Sequence, residues 1–456
     1  MKKIISIILI LIASMTIAVI QLSAKEANQT EKDNPRVKAS THFNQAIMYE
    51  NFGKLKEAIS EYKKALVFMP DSSEILTNLA SVYFKTGNDT AAVKELKKAL
   101  SFNPNYADAH MLLGNFYINE LDYKKAIVEY ESILRIEPSY KEANFIIGFL
   151  YTKTGRDTEA TKYLQLAAED SQNAAVAYYN LGYSFVKRNM MEQAIQAYKK
   201  AGQLKPNWYE VHFNLGIIYE SIDLDSSIIE LEKAKIISPK EIQPYTFLAQ
   251  AYQRKGILEK VIQNYKDALK IKSNDYVLLV LISATYTAMK NNTEALVFSK
   301  KAYEISPEDP AVNYQLGVIY YLLKQSDDSV KYLKQTIKSN PKHAPAMNLL
   351  AYIYAEKGTD LDEALKLINN ALELEPDNGA FLDTLGWIFL KKGMPDHAIT
   401  EITKALKTIK DDATIYEHLG DAYSKRGNKN EAIKNWKRSL ELNPENKGLK
   451  EKISIQ

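Results

Sequence analysis

The chain contains no cysteine. That excludes disulfide staples, a thiolate nucleophile, Cys-ligated metal and a lipidated N-terminal cysteine. An excess of one charge is also missing. Its 59 Lys and Arg against 56 Asp and Glu leave a net charge of +3, so composition gives no electrostatic reason to expect nucleic acid. The six histidines, His42, His110, His212, His343, His397 and His418, are scattered, and no HExxH, GxGxxG or GxxxxGK[ST] occurs. No catalytic, metal or cofactor site is therefore expected. Carboxylate pairs on predicted helices read as solvated surface charge.

Long apolar runs are absent but for one, the 17 residues Ile4 to Ile20. Lys2 and Lys3 precede it and Leu22-Ser23-Ala24 follows as a possible cleavage site. Residues 1–24 thus read as a signal peptide. The run is also at the lower limit for a membrane-spanning helix, and Leu22 is larger than the preferred small residue, so an uncleaved N-terminal anchor stays open. In both cases Lys2 and Lys3 stay cytoplasmic and the rest of the chain lies outside. The simple MKK start points to a bacterial protein exported to the periplasm, with the membrane touched only through this segment. Residues 25–38, polar and carrying Pro35, are predicted to be a flexible linker.

What the chain has in quantity is tyrosine, 30 of them, and a repeat. In Ala413 to Pro444, Tyr416, Leu419, Gly420 and Tyr423 lie at helical spacing; Ala432, Ile433, Trp436 and Leu440 resume it after Gly427. Gly427 can take the left-handed conformation that ends a helix, and Pro444 cannot continue one. The pattern returns at a period near 34, twelve times between residues 39 and 446. The eighth position is always small: Ala46, Ala80, Gly114, Gly148, Gly182, Gly216, Ala249, Ser283, Gly317, Ala351, Gly386 and Gly420. Three residues later stands an aromatic: Tyr49, Tyr83, Tyr117, Tyr151, Phe185, Tyr219, Tyr252, Tyr286, Tyr320, Tyr354, Phe389 and Tyr423. A small residue where two helices cross lets their backbones approach, and the aromatic fills the space beside them.

Some units depart from the pattern. The sixth is one residue short at SIDLDSS and the tenth one residue long at EKGTDLDE. Units four, seven and eleven carry Gln172, Ser273 and Lys410 in place of the closing proline. These read as loop variation that a stack absorbs. Alternatively, the deletion changes the pitch near residues 222–227 and divides the array in two. After the last unit, Leu449 and Ile453 mark residues 447–456 as the end of a capping helix.

The period, its small and aromatic marks and its closing proline resemble the tetratricopeptide repeat family. The resemblance implies an all-α fold: a right-handed α-solenoid of about twelve helix pairs whose first helices line a concave groove through positions 2, 5, 6, 9, 12 and 13. The sixth position is asparagine at Asn44, Asn78, Asn180 and Asn214. An amide can grip a peptide backbone bidentately, or it can bond neighbouring helices. Aromatics at the fifth and ninth positions, Phe145, Phe149, Tyr179, Tyr183 and Phe213, are predicted to cluster as anchors for a partner, or to pack partly between helices. Nearer the C-terminus the groove positions turn acidic at Asp383, Glu417 and Asp421. The family's clamp for a C-terminal carboxylate needs Lys at the fifth position and Asn at the ninth, and no unit has both. The function implied is a non-enzymatic scaffold for proteins or peptide segments, in assembly or secretion of an envelope complex. A substrate-recruiting subunit of a separate glycosyltransferase or polysaccharide-export machine is the alternative.

Overall fold

The computed structural model describes residues 34–169 and 172–455, with 16, 21 and 22 besides. The leader expected at residues 1–24 and the linker up to residue 33 otherwise lie outside the described residues. The described residues form 25 helices and no strand. They are paired as helix A and helix B of successive repeats, the stacking pattern of an α-solenoid. The chain parts into two compact units, Met1–Ile218 and Tyr219–Gln456, at the short sixth repeat.

In the first unit the A and B helices are Pro35–Asn51 and Leu55–Phe68, Ser73–Lys85 and Asp89–Phe102, Ala107–Asn119 and Tyr123–Ile136, Glu142–Lys153 and Asp157–Ala168, Ala174–Lys187 and Met191–Leu204, then Tyr209–Tyr219. The second unit holds Leu224–Ile237, then Gln243–Arg254 and Leu258–Ile271, Tyr276–Ala288 and Asn292–Ile305, Pro310–Leu322 and Ser326–Ser339, Ala344–Lys357 and Leu361–Leu374, Gly379–Lys391 and Pro395–Thr408, Ala413–Arg426 and Lys429–Leu442, and the terminal helix Lys447–Ile455.

The first helix begins at Pro35, inside the stretch predicted to be linker. Proline's fixed φ suits the opening turn, and the Asn34 side chain accepts from Arg36 N at 3.0 Å, so a polar sequence still starts a helix. Inside each repeat the crossing is as tight as its small residues allow. A Cβ on Gly114, Gly182 or Gly420 would come within 2.8 Å of Tyr130, Tyr198 or Trp436, each sixteen residues on in helix B. Where serine replaces alanine or glycine its hydroxyl is used: Ser283 Oγ donates to Ala295 O and Ser329 Oγ to Gly317 O. The core is shared between neighbours. Tyr62 and Ala65 of one B helix pack with Ile75, Leu79 and Val82 of the next A helix, each side chain gaining about 1.5–3 kcal/mol where fully buried and large.

Eleven repeats turn from helix A to helix B through a residue at positive φ: seven glycines, and Leu121, Asn189, Lys290 and Lys324. The sixth has none among the described residues, because the missing residue falls in that turn. The tenth, one residue longer, uses two, Gly358 and Asp360. The closing proline proves dispensable in two places. Lys272 before Ser273 and Ile409 before Lys410 adopt φ and ψ close to those of Met69 before Pro70. In the fourth repeat helix B ends early, at Ala168. At the C-terminus, Leu449 is fully buried against Ala432 and Trp436, with Ile453 beside it.

The scattered histidines also acquire reasons. At the fourth position of helix A, His110 Nε2 and His212 Nε2 donate to the carbonyls of Pro104 and Pro206. Tyr245, Asn313 and Tyr416 make the same bond to Pro239, Pro307 and Lys410. Each thus closes the preceding loop.

Candidate protein-binding groove

In the first unit the asparagines do not behave alike. Asn78 Nδ2 donates to Glu74 O at 2.9 Å and Asn180 Nδ2 to Val176 O at 2.8 Å, so each commits an N–H to its own helix. Asn214 Nδ2 reaches the Tyr179 hydroxyl at 3.4 Å, and Asn44 is exposed.

The five aromatics separate into three settings. Tyr179 stacks on Trp208, with ring centroids 4.7 Å apart and planes 27° apart, and meets Tyr198 at 5.6 Å. Burial raises the Tyr179 pKa, against the opposing effect of Asn214. Lys205 Nζ lies 4.8 Å from the Trp208 ring centre. Phe213 stacks on Tyr209. Phe145 packs between helices against Ala167, Ala168 and Ala177. Phe149 and Tyr183 face lysines, Lys153 Nζ at 5.1 Å and Lys187 Nζ at 5.5 Å, and Tyr183 keeps 40% of its surface exposed. Trp208 is the member that position counting missed. Its signal was an aromatic two residues past the closing proline, as at Tyr106 and Tyr140.

In the second unit the groove positions of four successive A helices line one cavity of about 260 Å³. Tyr321 comes from the twelfth position of one repeat. Asn348 and Tyr352 come from the fifth and ninth of the next. Asp383 and Thr384 come from the fifth and sixth of the one after. Tyr321 and Tyr352 meet edge to face. Burial, then the charge of Glu356, pushes the Tyr321 pKa up to about 12 and raises that of Tyr352 as well. Asp383, itself 7% exposed, receives His418 Nδ1 at 2.9 and 3.1 Å. Trp387 stacks on His418 at 4.1 Å. Asn348 Oδ1 and Trp387 Nε1 are buried without a hydrogen-bond partner among the described residues.

The other two acidic groove residues are already answered from within the chain. Lys452 Nζ of the terminal helix sits 2.9 Å from Glu417 Oε1 and 2.8 Å from both oxygens of Asp421. Asn446 Nδ2 donates to the second Glu417 oxygen, and Trp436 Nε1 to Asp421.

Comparison with known proteins agrees with this architecture. Family descriptions reading "TPR repeat" match residues 52–87, 81–119 and 182–222, and "Tetratricopeptide repeat" matches 107–140, 286–353, 344–378 and 413–446. A TPR repeat-containing protein of Pseudomonas aeruginosa is 29% identical over 194 residues, 40% of this chain and 31% of the relative. The anaphase-promoting complex subunit CDC16 of Saccharomyces cerevisiae is 23% identical over 199 residues, 42% of this chain and 24% of the relative. The protein O-mannosyl-transferase TMTC3 of Homo sapiens is 22% identical over 219 residues, 44% of this chain and 24% of the relative. The chain thus spans less than a third of each of these relatives.

Proposed function

The chain belongs to the tetratricopeptide repeat family, and from that premise we propose that it is a non-enzymatic scaffold that holds protein segments along the groove faces of its A helices. The observation that carries this reading is the recurrence of half-exposed aromatic and amide side chains at the groove positions of successive A helices: Phe149, Tyr179, Tyr183 and Asn214 in the first unit, Asn348 and Tyr352 in the second. Aromatics in such places supply most of the binding energy of protein interfaces. A relative that is a subunit of a multiprotein complex supports the same reading. The site proposed in the first unit comprises Asn44, Asn78, Asn180, Asn214, Phe145, Phe149, Tyr179, Tyr183 and Phe213. The setting proposed, from the leader-like N-terminus, is the periplasm or the outer face of the cytoplasmic membrane, in assembly or secretion of an envelope complex.

Crosslinking in cells followed by mass spectrometry tests this reading. Recovery of a stable envelope complex supports it; turnover of a nucleotide sugar by the purified chain, or recovery of only cytoplasmic proteins, counts against it. Similarity to a protein O-mannosyl-transferase favours a second reading, in which the chain recruits substrate for a separate glycosyltransferase. Co-purification of such an enzyme would distinguish the two.

A further inference from the structure

Resting on the scaffold reading, we propose that the cavity walled by Tyr321, Asn348, Tyr352 and Asp383 receives the guanidinium of an arginine presented by an extended partner segment. The argument is a balance of donors and acceptors. Asn348 Oδ1 is buried, and nothing among the described residues donates to it. Asp383 is buried, and among the described residues its ion pair is with the His418 ring and no Lys or Arg pairs with it. The Tyr321 and Tyr352 hydroxyls both hydrogen-bond Glu356, which places a second carboxylate beside these two phenols. Thr384 Oγ1 is spent on Ala380 O, and Asp412 Oδ1 on the backbone N–H groups of Thr414 and Ile415. The phenol O–H groups are turned to Glu356, and the walls otherwise offer a carboxamide oxygen and a carboxylate that, among the described residues, no Lys or Arg answers.

The same unit shows what answers this arrangement. One repeat further on, the acid at the fifth position, Glu417, and the acid at the ninth, Asp421, are bridged by a cation that the terminal helix delivers, Lys452. Asp383 occupies the fifth position of the preceding repeat and has no such cation among the described residues. Its acceptors are also more spread, over a carboxamide oxygen, a carboxylate and two phenols. Five N–H donors in a planar fork fit that spread better than a single ammonium, and a guanidinium stacks on aromatic faces such as Tyr352.

The test uses the full chain and four fluorescein-labelled hexapeptides of alanine and serine that differ in one central residue: arginine, lysine, citrulline or glutamate. Fluorescence anisotropy is expected to show the arginine peptide binding about tenfold or more tighter than the citrulline peptide, the scale of one charge-assisted hydrogen bond. Asp383→Asn should abolish the preference, and Asn348→Leu should reduce it. Because Asp383→Asn also disturbs His418, Glu356→Gln beside the two phenols is the second variant, expected to weaken arginine binding without altering the circular dichroism. Equal binding of arginine and citrulline peptides, a preference untouched by Asp383→Asn, or no binding of any peptide at millimolar concentration would overturn the arginine site. None of these touches the scaffold reading, which falls only if crosslinking recovers no protein partner.

Discussion

Gly420 and Gly427 lie in one helix–turn and are required for opposite reasons, which makes Gly420→Ala a demanding test of the packing. A Cβ on Gly420 would stand 2.3 Å from Trp436 Cδ1 and 2.5 Å from Nε1, where the Trp436 ring is 2% exposed and donates to Asp421. Overpacking of this kind costs about 1–3 kcal/mol, while alanine returns about 1 kcal/mol of helix propensity. If the indole swings away its hydrogen bond to a carboxylate is lost as well, so the net loss comes to about 2 kcal/mol. Trp436→Leu alone should cost about 2–4 kcal/mol of burial. Combined with Gly420→Ala the two losses should not add, because the smaller side chain vacates the space the new methyl needs. Long repeat arrays depart from two-state unfolding, so the readout is amide hydrogen exchange across residues 413–455. Gly420→Ala should accelerate exchange there about 30-fold. Gly427→Ala has open space around it but φ +90°, and should cost about 1–2 kcal/mol irrespective of residue 436. Unchanged exchange in Gly420→Ala, or strict additivity with Trp436→Leu, would refute the account of the crossing.

Other outcomes follow from individual residues. Leu121, Lys290 and Lys324 occupy left-handed turns where other repeats place glycine, so each →Gly change should stabilise its repeat, by about 1 kcal/mol in local hydrogen exchange. His110 faces two acceptors, Glu129 on Nδ1 and Pro104 O on Nε2, and only the imidazolium can donate to both. Its pKa is raised, chiefly by the Glu129 hydrogen bond and against the effect of burial. The stabilisation is therefore full below the unfolded value of about 6.5 and is lost as pH rises through the raised folded value; exchange protection in residues 107–140, corrected for the intrinsic pH dependence of exchange, should fall over that rise, and His110→Gln should flatten the dependence. Lys452→Gln leaves Glu417 and Asp421 without their cation and should loosen residues 413–455 in the same assay. Tyr183→Ala with Phe149→Ala should weaken partner capture with the helical circular dichroism unchanged, whereas Tyr179→Ala removes the stack on Trp208 and should also perturb local packing.

The architecture was legible because the crossing imposes one residue size at one place. Gly114, Gly182 and Gly420 report directly on Tyr130, Tyr198 and Trp436 sixteen residues away. The effect of the one-residue deletion was legible only in part. Counting located it, but not that it removes the left-handed turn residue the other eleven repeats use. The groove was the harder part. Position counting picked out Asn78 and Asn180 without revealing that their own helices claim an amide N–H. It grouped Phe145 with Tyr183, though one packs among alanines and the other stays in solvent. It marked Glu417 and Asp421 as acidic groove residues, since nothing in their spacing told that Lys452 would fold back onto them. Side-chain partners from a neighbouring repeat lie about thirty residues off in sequence, where periodicity fixes the backbone but not which hydrogen bond wins.

The central claim is that partners meet the A-helix groove rather than the outer face. A photo-crosslinking residue placed at Tyr183 or Tyr352, and for comparison at Val67, a 76% exposed position on a B helix, would test it in living cells. The account expects discrete protein adducts from positions 183 and 352 and none from 67. Adducts equal at all three positions, or confined to position 67, would contradict it.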